Sequence, residues 1–164
     1  MSAMTRMCRP ALLGLGALLV FAGPAWALDQ QEAEIVVGIM EQVAAISGEP
    51  IYYGGGSELF DYDTQNGELI FAAGFDHDSW IAAHDAVLTG FMASMPEPEF
   101  NAIFAGPLAQ LEASTSLTAE QKAAIRADLE PEIAAARAAR QSGRANADAV
   151  RPLLSRLQVL VFGE

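Results

Sequence analysis

The sequence contains one cysteine, Cys8, in 164 residues, so no intramolecular disulfide and no multi-thiolate metal site can form. Bases are scarce as well, with 9 Lys and Arg against 21 Asp and Glu and a formal net charge of −12. Residues 28–121 hold no Lys or Arg at all, and every base beyond Arg9 falls between Lys122 and Arg156. A field of that sign argues against direct nucleic-acid binding and against anionic membrane surfaces, since both require positive charge facing phosphate. Catalytic signatures are missing too. Gly-x-Ser-x-Gly does not occur, and the Gly54-Gly55-Gly56-Ser57 run has no following Gly-Lys-Ser/Thr with which to cradle a phosphate.

What is present begins with residues 1–27, which carry the parts of a secretory signal. Arg6 and Arg9 precede an apolar stretch over 11–22, then Gly23-Pro24 and the small-x-small pattern Ala25-Trp26-Ala27. The apolar stretch is shorter than the roughly 20 residues a helix needs to cross a bilayer core, and no second segment could span. Cys8 precedes the stretch, so it is not a lipidation site, and the separated arginines are not a twin-arginine pair. Cleavage after Ala27 is expected, leaving 28–164 as one helix-rich periplasmic or secreted domain. Removing Arg6 and Arg9 with the signal takes the net charge from −12 to −14.

The pattern predicts a mainly α (α+β) fold, with four or five amphipathic helices around one core and a small β-hairpin after the first helix. Asp29 and Glu32 have capping-box spacing ahead of Val36, Ile39, Met40, Val43 and Ile46. The hairpin is expected at 51–72, where Tyr52, Tyr53, Phe60, Tyr62 and Phe71 surround an Asn66-Gly67 turn signal. Asp76 or Asp78 would cap a second helix striped by Trp80, His84, Val87, Leu88, Phe91 and Met95. Glu97 and Glu99 open a third helix, which Pro107 should kink or break, and Pro131 marks a kink in a fourth. A final helix is expected around 152–162.

The densest polar chemistry is Asp76-His77-Asp78 through His84-Asp85. Two imidazoles beside carboxylates suit Zn or a related metal, and an Asp-oriented His suits a general base. Two helical turns separate His77 from His84, about 10 Å along the axis, which is long for one metal. His84 lies within the apolar stripe and reads first as a core or interface histidine, and the aspartates as helix caps. Asp61, Asp63 and Gln65 put oxygens at alternate places, as in a calcium loop. Yet Gly67 comes one place late and Ala72 stands where a bidentate Glu is required, so a plain hairpin with acidic shoulders is the expectation and weak noncanonical cation binding the alternative. The Gly54-Gly55-Gly56 run reads as a flexible turn, and the aromatics around it as a recognition surface if they are exposed.

Leu117-Thr118-Ala119-Glu120-Gln121, with Ile125 and Leu129, resembles the Leu-Thr-x-x-Gln motif of the Spy and CpxP group of small helical periplasmic chaperones and stress sensors. The resemblance ends there. The second copy carried by that group is missing, and Thr118 with Gln121 is also an ordinary capping box. The sequence therefore points to an exported, non-enzymatic binding protein for a cationic partner: a basic protein, a polyamine-like ligand or a divalent metal. The competing class is a small metal-dependent hydrolase or metal-binding protein using His77, His84 and the neighbouring aspartates. The acidic segment has a further use in pairing with Arg126, Arg137, Arg140, Arg144, Arg151 and Arg156 of the same chain.

Overall fold

A computed structural model describes residues 28–163, and the export signal expected at 1–27 lies outside them. Helix α1 (Gln30–Ser47) starts where the Asp29 carboxylate accepts the Glu32 N–H at 2.8 Å and ends at Gly48, whose φ of 71° suits glycine. Its buried residues Ala33, Val36, Val37, Met40 and Val43 recur at helical spacing, giving one continuous apolar face. Helix α2 (Gly56–Asn66) and the single turn α3 (Leu69–Ala72) follow, then α4 (His77–Ser94). Asp76 and Ser79 close a full capping box on α4, and its Trp80, Ala83, His84, Val87, Leu88 and Phe91 are buried. Helix α4 is the central post of the fold, because the other body helices pack around it. Fully burying each large apolar side chain there contributes about 1.5–3 kcal/mol.

The C-terminal part returns to this post. Helices α5 (Glu97–Ala113) and α6 (Ala119–Ser142) lead through a 3₁₀ turn (Gly143–Ala145), the single turn α7 (Ala147–Val150) and a second 3₁₀ turn (Arg151–Leu153) into α8 (Leu154–Phe162). Gly143 meets α4 so closely that an added Cβ would lie 2.0 Å from the Thr89 carbonyl oxygen. Next to it, Asn146 is buried and its Oδ1 accepts the backbone N–H of Leu28 at 3.2 Å. The start of the described chain and the turn that follows α6 thus meet beside α4.

No strand occurs among the described residues, so the mainly α expectation stands and the β-hairpin at 51–72 does not. The buried positions Gly56, Leu59, Phe60 and Asp63 of that segment have helical spacing, and only a helix puts all four against the core. Asn66-Gly67 ends α2 instead of turning a hairpin. Glu68 then takes the left-handed region at φ 53°, and the buried Asp63 carboxylate accepts the Leu69 and Ile70 N–H groups at 3.1 and 2.8 Å. Those bonds satisfy the first donors of α3. Aromatic residues favoured strands in the sequence reading, and burial against α4 overrode that preference.

Helices α5 and α6 form an arm. Only Phe100 and Leu111 in α5 and Ala139 in α6 are buried, although the helices are 17 and 24 residues long. Pro107 and Pro131 break neither helix; each falls inside a continuous one. The carbonyls they leave unbonded belong to exposed Ile103 and Ala127, where water can take them. Among the described residues no helix is long and apolar enough to cross a membrane.

Candidate functional site: the glycine loop and the head of α4

The Gly54-Gly55-Gly56 segment is held from three directions, contrary to the flexible turn anticipated for it. Gly54 N–H donates to Asp85 Oδ1 at 3.2 Å, and Trp80 Nε1 donates to the Gly56 carbonyl at 2.9 Å. A Cβ at Gly56 would meet the His84 ring at 3.2 Å, so the loop lies flat against the histidine. Gly54 itself has φ 86°, a conformation that other residues rarely adopt.

His84 is wholly buried, with Nδ1 3.0 Å from Asp85 Oδ1. An ionised carboxylate only accepts, so Nδ1 is the donor of this pair and Nε2 is left to find another partner. That Nε2 is buried with no hydrogen-bond partner among the described residues. The core histidine read from the sequence is therefore satisfied on one nitrogen only, and an unmade bond of this kind costs about 1–3 kcal/mol.

His77 occupies a different environment at the surface. Its Nε2 lies 3.2 Å from Ser57 Oγ, its Nδ1 lies 3.0 Å from Asp78 Oδ1, and its ring stands edge-on to Phe60 with centroids 5.0 Å apart. The connectivity is that of a nucleophile, base and acid relay. The Asp78 side chain, however, is 99% exposed, and a hydrated carboxylate orients and polarises an imidazole weakly. The cavities described below are walled by other residues.

Asp76 is the N-cap of α4, and its carboxyl is held below the usual range first by the Ser79 hydroxyl and then by the Ser79 N–H. Asp63 caps α3 from inside the core, whereas Asp61 is exposed and its backbone carbonyl accepts from Thr64 and Gln65. The aspartates singled out in the sequence thus do not converge. Among the described residues no group of three His, Cys, Asp or Glu side chains is placed to hold one metal ion.

The bases reach little of the acidic half. Arg156 donates to both Glu41 oxygens at 2.8 and 2.7 Å and to Glu34 at 2.6 Å, and the Arg156 hydrogen bonds hold the Glu41 carboxyl below its ordinary range. Arg126 pairs with Glu112 inside the arm, where Lys122 also donates to the Glu112 carbonyl at 2.6 Å. Arg140 spends its guanidinium on the Met92 and Met95 carbonyls, at 3.1 and 2.8 Å. Of the six arginines anticipated to pair with the acids of 28–121, Arg156, on Glu34 and Glu41, and Arg126, on Glu112, form such ion pairs among the described residues.

Two cavities have exposed aromatic side chains in their walls. A groove of about 770 Å³ runs between the arm and the body, bordered by Phe91, Met95, Ile103 and Phe162. A smaller cavity, about 210 Å³, is lined by Tyr52, Tyr62, Glu49, Glu58, Leu59 and Gly55 among others. An added Cβ at Gly55 would come within 3.0–3.1 Å of three Tyr52 ring atoms, so the ring lies directly over the glycine. Both tyrosines belong to the aromatic recognition surface expected from the sequence, whereas Glu49 and Glu58 carry no local signal that sets them apart from the other acids. Glu58 and Tyr62 are four apart, and only a helical reading of the segment puts them on one face.

No protein-family model, no curated protein sequence and no solved structure matches the chain.

Proposed function

We propose that the chain is an exported, non-enzymatic binding protein whose acidic, aromatic surface around α2 takes a cationic partner. The carrying observation is the unneutralised charge of this surface. Glu49, Glu58, Asp61 and Glu68 are exposed and form no ion pair with a base of the same chain among the described residues, while Tyr52, Tyr53 and Phe71 stay about half exposed beside them. Negative charge next to exposed aromatic area favours organic cations, because the ring faces add attraction to that of the carboxylates. Export with cleavage before Leu28 belongs to the same reading.

Exposed charge attraction is screened over about 8 Å at physiological ionic strength, so binding should depend on salt. A Lys-rich peptide titrated into the purified chain is expected to bind at low ionic strength and to be released at high. The triple variant Glu58→Gln, Asp61→Asn, Glu68→Gln should lose most of that binding. Absence of binding by the peptide and by small organic ammonium ions alike, or binding indifferent to both salt and the triple variant, rejects the reading.

A further inference from the structure

We infer that the cavity between the end of α1 and the face of α2 is a receptor for a single alkylammonium group, held by Tyr52 and Tyr62 with Glu49 and Glu58. The inference rests on the cationic-partner reading and narrows it to one ligand class and one place.

The walls select the ligand by exclusion. Leu59, 5% exposed, lies against the core and gives the cavity an apolar base, and two tyrosine rings contribute further carbon surface. Glu49 and Glu58 supply the formal charge, and no Lys, Arg or His lines the cavity. An anion meets repulsion from both carboxylates there. A hard divalent cation is poorly served as well: calcium takes six to eight oxygens, and these walls are largely hydrocarbon. An ammonium carrying methyl or methylene groups fits both properties, since its charge is drawn to the carboxylates and ring faces while its carbon skirt covers Leu59. The size agrees, because about 210 Å³ admits a small head group or one side-chain end and not a folded surface.

The loop is also built for the purpose. Gly55 lets the Tyr52 ring lie across the backbone, where a Cβ would press on it, and the neighbouring Gly54 and Gly56 are fixed to Asp85 and Trp80. Tyr52 is thus positioned before any ligand arrives, although it is 50% exposed. A ring held in place loses little freedom on binding, which is the benefit of a preformed site.

The shared chemistry has two sources, a free small cation or the side chain of a lysine on a protein. Choline, putrescine and a Lys-rich peptide titrated calorimetrically into the purified chain distinguish them, with sodium chloride at matched ionic strength as the blank. Saturable binding of at least one ammonium is expected. Tyr52→Leu and Glu58→Gln should each weaken it about fivefold or more, while Tyr52→Phe, which keeps the ring face, and Glu130→Gln, exposed on α6 away from the cavity, leave it within about twofold. Far-UV circular dichroism identical to the parent confirms that each variant is folded, and Tyr52→Phe serves as the internal control for the loop. Choline or putrescine binding without peptide binding assigns a free cation, the reverse assigns a lysine side chain, and each supports the site. No saturable binding by any of the three, or binding that Tyr52→Leu and Glu58→Gln leave unchanged, overturns it. Salt-sensitive peptide binding that persists in Tyr52→Leu but fails in the triple acid variant rejects this cavity and leaves the acidic-surface reading standing.

Discussion

The body of the molecule and its α5–α6 arm are made from the same kind of helix, with opposite balances of forces. In the body, α1 and α4 bury one face each against a shared core in which Trp80, Met40, Ile70 and Leu157 are inaccessible. In the arm, two long helices meet only each other along most of their length, and Leu108, Leu129 and Ile133 remain half-buried. Two helices cannot enclose a core. The arm relies on caps and charge instead: the Thr118 and Gln121 capping box, Arg126 on Glu112, and Lys122 on the Glu112 carbonyl. Exposed ion pairs of this kind contribute about 0–1 kcal/mol each, far below the burial terms of the body. Tertiary packing stabilises the one region, and local chemistry must sustain the other. The arm should therefore open at a lower free energy than the body.

The largest effect is expected where the two regions are joined. Gly143→Ala puts a Cβ 2.0 Å from the Thr89 carbonyl, so α4 and the chain leaving α6 must move apart. Backbone on both sides cannot yield as a flexible side chain would. The loss should reach about 3 kcal/mol or more, read as a lower urea midpoint for the whole molecule. An unchanged midpoint would mean that the close approach carries no stability and that body and arm are less firmly joined than the geometry implies.

Arg140→Ala tests the root of the arm more gently. Arg140 donates to the Met92 and Met95 carbonyls and lies 5.0 Å over the Phe100 ring, so it ties α6 to the end of α4 and to the start of α5. Its removal should cost about 1.5–3 kcal/mol locally, the range for hydrogen bonds to charged groups. Native-state hydrogen exchange is expected to quicken in 97–138 while amides of α1 and of the middle of α4 keep their protection. Equal acceleration in both regions would refute the division of the molecule into body and arm.

How much of this division was legible in the sequence depends on the element. Capping residues at Asp29, Asp76 and Thr118 located three helix starts, because a cap is a local device and its signal is local. The apolar stripe of α4 was legible for the same reason. Residues 51–72 were misread because Asn66-Gly67 and the aromatics have strand and turn preferences, while helical burial at Leu59, Phe60 and Asp63 is decided by α4, far away in sequence. The openness of the arm was also hidden, since Ile103, Ile125 and Leu129 show a stripe whether or not a third helix covers it. At the candidate site, the buried state of His84 could be read from its stripe. The cavity of Tyr52 and Tyr62 could not, because it joins the end of α1 to a helix that the sequence disguised as a hairpin.

The smallest effect concerns acid, and it distinguishes the two regions by their carboxylates. Glu41 of α1 accepts from Arg156 of α8, a contact within the body, and its folded pKa lies below the unfolded value. Such a group stabilises the fold above its unfolded pKa, near pH 4, and that contribution disappears as pH falls through the lower folded value. The same sign holds for Asp76 at the head of α4. The Glu41 side chain is 38% exposed, so solvent screening keeps its share below about 1 kcal/mol. Urea midpoints of the parent and Glu41→Gln should differ modestly and constantly from pH 7 to about pH 5, then converge as Glu41 protonates in the parent. The convergence is the diagnostic, because a variant that merely disturbed packing would stay offset at every pH. Midpoints that run parallel through the acid range would show that the Arg156 contact adds nothing to the body beyond shape, and would leave apolar burial as the whole of its advantage over the arm.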